Sequence, residues 1–300
     1  MAMTLTAEAL LDRRYRTALG VYRFGRNDPT TRLDGNEFWR ATITPDGPGT
    51  LHISWDISRY TLEAWGPGAN WMIERAPYLL GEHDQPHQFV NPHPVIAAAQ
   101  RNHPYLRIGS SGMLYHELIP VVIGQRITAQ EAVGQWHRLV RQLGEPAPGP
   151  REDLVLPPAP QRLAEQPGWW FHPLGIELKR AHPLIELGKQ AQRLWSWSQL
   201  PSGQCAEKLA LLRGIGQWTI GSALGPALGD PDSIAVGDFH LKNQVAFALA
   251  GEARATDERM IELLQPYSGQ RGRVTRLLGL EGFQAPKFGP RQRIQPMSRR

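Results

Sequence analysis

The chain has 300 residues, 41% hydrophobic and 20% charged, with a formal net charge of +5. That length accommodates about two domains, and no apolar run reaches the ~20 residues that span a bilayer, which excludes a transmembrane protein. A single cysteine, Cys205, excludes an internal disulfide and any cluster needing about four thiolates, such as an iron–sulfur cubane.

The opening MAMTLTAEALLDRRYR carries no apolar stretch ahead of a small-residue cleavage site, so the expected location is the cytoplasm, including a nucleoid or nucleus depending on the source. The ten histidines are scattered; His83 and His87 flank Pro86, and no H-E-x-x-H occurs, so no catalytic zinc is expected. From residue 286 onward the chain holds Lys287, Arg291, Arg293, Arg299 and Arg300 and no acid, and without them the charges balance. The excess charge thus belongs to a tail expected to be disordered, giving salt-sensitive attraction to phosphate or merely solubility.

In chain order, strands are expected over 15–24, 38–44 and 51–55, separated by the turn-rich RNDPTTRLDGN and PDGPG. Residues 60–80 are ambiguous and admit a helix, and 86–103 read as a connector. Helical periodicity governs 114–124 and 128–143, with Thr128 as N-cap. The Pro-rich 151–160 breaks the pattern, which resumes over 176–194, 204–212, 256–264 and 273–278. No internal repeat or heptad pattern is present. The expected fold class is α+β: a small N-terminal antiparallel-sheet domain (1–104), a mostly helical body (105–285) and the basic tail (286–300).

The informative stretch is AEKLALLRGIGQWTIGSAL, residues 206–224. Leu209 and Leu212 continue an apolar stripe into Gly214-Ile215-Gly216, after which a second helix starts near Gln217. Glycines flanking one aliphatic residue permit positive φ and close backbone approach, while Ile215 plugs the hairpin into a core. The free amides at the second helix's start form a phosphate site that needs no side-chain charge. A G-x-G turn alone is also a common helix end. The longer frame L-x-x-L-x-G-I-G-x-W-T, followed 20 residues after Trp218 by Asp238 at the start of a further helix, is more specific. Asp238 suits either N-capping or catalysis. A carboxylate about 4 Å from developing positive charge is worth roughly 4 kcal/mol at an effective dielectric near 20, or about three decades in rate.

These motifs resemble the helix-hairpin-helix DNA glycosylase superfamily and, within it, the DNA-3-methyladenine glycosylase II family. The likeness extends over about 110–280 through PVVIGQRITAQEA (120–132), LGIELKRAHPLIELG (174–188) and PYSGQRGRVTRLL (266–278). It implies base flipping on damaged double-stranded DNA by a monomer in base-excision repair, with phosphate contacts from amides around Gly214, Gly216, Trp218 and Thr219. It also implies a sodium or potassium ion held by the carbonyls of Ala210, Leu212 and Ile215, with no other cofactor required. Asp238 becomes the carboxylate that stabilises the sugar cation and orients water. Relatives that cut the backbone carry a Schiff-base lysine where Trp218 stands, so a monofunctional enzyme is expected. Trp218 would stack on a cationic alkylated base for about 0.5–2 kcal/mol, or belong to the core.

Gln125 and Arg126 match a pair that faces the DNA gap, Arg126 as the wedge or simply as a solvated charge. Lys242 would touch phosphate or solvent. Ser222 falls at a pocket position where a relative has an aromatic, and Ser268 replaces a usual arginine, with Arg271 and Arg273 nearby. Trp169, Trp170, Phe171, Trp195 and Trp197 are further candidates for base contact, or core. The expected substrate is DNA with alkylated purines of the 3-methyladenine type. An oxidised or deaminated base, and a non-catalytic DNA-structure-binding protein, are the alternatives.

Overall fold

The computed structural model describes residues 7–56, 59–85, 88–90 and 92–286, with backbone alone for 7–10. The expected tail from 287 on, and the Pro86–His87 part of the histidine pair, lie outside the described residues. The chain opens with α1 (Ala7–Leu19) and a 3-10 turn (Gly20–Tyr22), which corrects the strand expected over 15–24. Tyr15, Ala18, Leu19 and Tyr22 are buried at the i, i+3, i+4, i+7 spacing of one helix face. Tyr15, Thr17, Val21, Tyr22 and Phe24 are residue types that favour strands, and packing against the sheet overrides that local preference.

Four strands follow: β1 (Thr31–Asp34), β2 (Glu37–Thr44), β3 (Gly47–Trp55) and β4 (Tyr60–Trp65). They form one antiparallel sheet in sequence order. β1 lies inside the stretch expected to be turn-rich; the turn that joins it to β2 is Gly35-Asn36, with Asp34 paired to Glu37 and Gly35 at φ 55°. Residues 60–80 resolve into β4 and α2 (Ala69–Leu79). One sheet face, with Phe38, Leu51 and Ile53, packs on α1 and α2. The other, with Trp39 and Ala41, is covered by Leu154 and Leu156 from the Pro-rich segment.

The expected connector contains α3 (Pro94–Asn102). Next come α4 (Leu114–Ile123) and α5 (Ala129–Leu143), the latter opened by a capping box between Thr128 and Glu131. The body continues through α6 (Pro160–Ala164), a 3-10 segment (Gly168–Leu174), α7 (Leu178–Lys189) and α8 (Ala191–Trp197). The single helix expected over 176–194 is two, because Gln190 leaves helical geometry at φ −98°, ψ 8° and redirects Leu194 into the core. Then follow α9 (Ser202–Ala210), α10 (Gln217–Leu228), α11 (Leu241–Ala250), α12 (Asp257–Leu264) and α13 (Arg271–Leu280).

Two helical cores result. The larger joins α4, α5 and α7–α10 around Trp136 and Phe171. In the smaller, Ile96 of α3 meets Val245, Met260, Leu264, Val274 and Leu278 from α11–α13, so α3 packs with the last helices of the fold rather than bridging to the first. The sheet is seated on the body by buried polar contacts: Arg40 pairs with Glu117 at 2.6 Å, Thr42 Oγ1 lies 2.9 Å from His116 Nδ1, and Trp136 Nε1 donates to Asp28. No helix among the described residues is long and apolar enough to cross a membrane. Residues 230–240 cross from the larger core to the smaller, and the functional candidates gather at this crossing.

Candidate active site

The hairpin between α9 and α10 forms where the sequence places it. Ile215 is buried in the larger core. Gly214 has φ 87°, and a Cβ there would lie 2.4 Å from Cγ of Pro183 on α7. The two glycines have different uses, contrary to the expectation that both serve positive φ and close backbone approach. Gly216 is extended at φ −98°, ψ −179°, and a Cβ on it would meet nothing within 4 Å. It leaves the first turn of α10 without a side-chain cap, so the amides of that turn stay open to a ligand.

The crossing segment lies directly on α10. A Cβ on Gly221 would stand 1.9 Å from the Ile234 carbonyl oxygen, and Ser233 Oγ donates to the Gly221 carbonyl. This contact brings Asp238 over Trp218. The indole Nε1–H of Trp218 donates to Asp238 Oδ2 at 3.2 Å, while Asp238 Oδ1 accepts from the amides of His240 (2.8 Å) and Leu241 (2.9 Å). Asp238 therefore caps the approach to α11, as the simpler reading of that residue requires, and presents a half-exposed carboxylate with a fixed orientation.

Trp218 is half-buried, neither wholly core nor free. Its ring edge reaches towards Gly124 at the end of α4, and Ser222 Oγ donates back to its carbonyl at 2.7 Å. Gln125 Nε2 donates to the Gly214 carbonyl and to Thr219 Oγ1, both at 2.9 Å. Gln125 thus braces α4 against the hairpin, and the buried Thr219 hydroxyl is committed to it. Arg126 is exposed with φ 60°, and no other non-glycine among the described residues has positive φ. Lys242 pairs with Asp257 at 3.0 Å.

No family model matches the chain. A Bacillus subtilis (strain 168) protein, named provisionally as a DNA-3-methyladenine glycosylase, is 26% identical over 136 residues. That match takes in 44% of this chain and 46% of the relative, so less than half of the relative's length is represented. In fold, a 3-methyladenine DNA glycosylase from Archaeoglobus fulgidus superposes with a TM-score of 0.70 at 15% identity, over 90% of this chain and 95% of that one. An 8-oxoguanine glycosylase/lyase from Clostridium acetobutylicum, in complex with DNA, gives 0.64 at 10% identity, over 85% and 87%.

The chain has the helix-hairpin-helix DNA glycosylase fold.

Within that fold, the other expected residues separate clearly. Phe171 is fully buried, Trp170, Trp195 and Trp197 pack partly on the same core, and Trp169 is 73% exposed on the 3-10 segment. The arginines near Ser268 are taken up inside the protein. Arg271 makes a two-pronged ion pair with Asp232, whose carboxyl is held low by those bonds although burial opposes them. Arg273 is buried against Asp84. Phe239, passed over in the sequence, follows Asp238 and is 65% exposed, with its ring edge-on to His240. Its signal was available as an aromatic adjoining the acid in V-G-D-F-H.

The carbonyls of Ala210, Leu212 and Ile215 belong to the end of α9 and the hairpin turn, where helical partners run out. Leu212 already accepts the Ile215 amide. A set of neutral carbonyls suits a monovalent cation better than a divalent one, and each oxygen keeps a second lone pair.

Proposed function

We propose that this chain is a monofunctional DNA glycosylase that hydrolyses the N-glycosidic bond of alkylated purines, of the 3-methyladenine type, acting as a monomer on damaged double-stranded DNA. The observation that carries this reading is the Asp238 carboxylate, fixed by three N–H donors from two elements, beside a hairpin whose amides are open to phosphate. The relative and the fold neighbour named for 3-methyladenine support the substrate class.

In this reading the duplex is gripped at the α10 N-terminus, where Gly216 lets a phosphate reach the backbone amides. Ala210, Leu212 and Ile215 would hold a sodium or potassium ion, which supplies positive charge against the same phosphate. The damaged nucleotide leaves the stack at a cost of a few kcal/mol. Arg126, on its left-handed backbone, fills the gap, and Gln125 orients the hairpin beneath it.

As the base departs, positive charge develops on the sugar, and Asp238 stabilises it and directs water to the same carbon. A cationic base is a good leaving group, so one carboxylate suffices. Phe239, next to Asp238 in the chain, and the face of Trp218, bonded to it, are aromatic surfaces for such a base. Trp218 has no amine, so no Schiff base forms there and the product is an abasic site.

The test is release of free bases from DNA carrying mixed alkylation, oxidation and deamination lesions, followed by mass spectrometry. Alkylated purines should appear, and Asp238→Asn should lower their release by about three decades with duplex binding retained. Release of oxidised or deaminated bases alone would overturn the substrate class. Duplex binding without any release would overturn the enzyme reading, and a borohydride-trapped adduct would overturn the monofunctional one.

A further inference from the structure

Asp238 sits in a short crossing segment between two separate cores, and one of its restraints comes from the larger core through the Trp218 indole. The smaller core supplies another. Asp257, the first residue of α12, accepts the backbone N–H of Gly237 on Oδ1 at 2.9 Å. Its Oδ2 accepts from Lys242 Nζ at 3.0 Å. Gly237 has φ 93°, a conformation that L side chains rarely adopt, and immediately precedes Asp238. A turn of this kind has little intrinsic preference for one orientation, so a hydrogen bond to its amide sets where the next side chain points.

We infer that Asp257 is a positioning residue for Asp238: it fixes the Gly237 turn to α12, with Lys242 as the anchor of its own carboxylate. Lys242, for which the sequence left phosphate or solvent open, thereby takes a role inside the protein. Besides the His240 and Leu241 amides on Oδ1, one restraint from each core holds Asp238: the Trp218 indole on Oδ2 and Asp257 on the preceding Gly237 amide. Removing the Gly237 bond lets the segment pivot and so loosens the Trp218 bond with it. The catalytic consequence of this assignment rests on the glycosylase reading above.

The experiment uses the full chain with ¹⁵N-labelled tryptophan and glycine, the Trp218 indole and Gly237 amide resonances being identified by Trp218→Phe and Gly237→Ala. In Asp257→Ala both N–H groups should exchange with solvent at least tenfold faster, while the other indoles stay unchanged. Single-turnover release of methylated base should fall about tenfold with duplex affinity within twofold of wild type. Lys242→Met keeps the acceptor on Gly237, so the exchange rates should rise less than in Asp257→Ala and duplex affinity should again hold.

Unchanged Trp218 and Gly237 exchange in Asp257→Ala would overturn the assignment, as would an unchanged release rate alongside active wild type. Weakened duplex binding in Lys242→Met would return that lysine to the DNA and overturn its anchoring role. Absence of base release from wild type would defeat the glycosylase reading alone, and the exchange rates would still decide the positioning.

Discussion

The indole N–H of Trp218 and the carboxylate of Asp238, 20 residues apart, are joined by a 3.2 Å hydrogen bond. The bond ties the second helix of the hairpin to the acid, and it gives Trp218 a task separate from stacking. Phenylalanine keeps an aromatic face, though a smaller one, and removes the donor. Trp218→Phe should therefore lower single-turnover base release by about tenfold, the scale of one hydrogen bond to a charged group at 1.5–3 kcal/mol when partly exposed to water. Affinity for an abasic-site duplex should be nearly unchanged. A release rate equal to wild type would show that Trp218 acts through its ring alone.

Gly214 and Gly216 make a paired test of the hairpin. Alanine at 214 has to adopt φ 87° and displace Pro183, whose Cγ would be 2.4 Å from the new Cβ. Gly214→Ala should cost about 1–3 kcal/mol of stability, a fall in Tm of several degrees. Alanine at 216 meets neither obstacle, so Gly216→Ala should melt within about 2 °C of wild type. In the proposed reading its methyl would nevertheless stand where a phosphate approaches α10, and duplex affinity should drop about tenfold. Calorimetry and duplex titration on both variants separate the roles; equal melting temperatures would remove the distinction drawn between the two glycines.

Much of this was legible because the informative residues are close in sequence. The hairpin needs only the local frame from Leu209 to Thr219, and Thr128 with Glu131 announces the start of α5 by a local capping rule. What depends on distant partners was not legible. The aromatic and β-branched residues of 15–24 favour a strand locally, and only the sheet that Tyr15, Leu19 and Tyr22 cover decides for the helix. Lys242 looked like a solvent or phosphate contact until Asp257 was placed beside it. Arg271 and Arg273, near Ser268 in the sequence, are claimed by Asp232 and Asp84 from segments 39 and 189 residues away. Likewise, α3 joins the smaller core through contacts with helices formed from the last third of the chain.

His116 makes the seating of the sheet sensitive to acid. Burial, and then the neighbouring Arg40 charge, hold its pKa well below the usual 6.5. A depressed histidine stays neutral in the folded protein while the unfolded chain takes up a proton. The stability is thus fully present above about pH 6.5 and is lost as pH falls from there towards the folded pKa, by about 1.4 kcal/mol per unit. Burial also raises the Glu117 carboxyl, despite Arg40. Its sign is opposite: the penalty for ionising it eases as pH falls towards its unfolded value. His116→Gln cannot titrate and keeps polar atoms for Thr42. Unfolding of wild type should lose about 1 kcal/mol more than His116→Gln between pH 6.5 and 5.5. Parallel pH profiles would mean that His116 titrates alike in the folded and unfolded chain, and would overturn the depressed value.

Arg126 carries the last consequence. Its φ of 60° is a conformation that costs a non-glycine residue about 1–2 kcal/mol. Nothing in the packing obliges that cost, since the side chain is exposed. Glycine adopts this backbone freely, although it gains entropy in the unfolded chain. Arg126→Gly should therefore be as stable as wild type or up to about 1 kcal/mol more so. If the side chain fills the gap left by a flipped nucleotide, the same variant should release methylated base at least tenfold more slowly from duplex. On single-stranded DNA, where no gap has to be filled, the loss should shrink to within about twofold. An equal loss on both substrates would place Arg126 in general phosphate binding, and no loss on either would leave it a solvated charge on a strained turn.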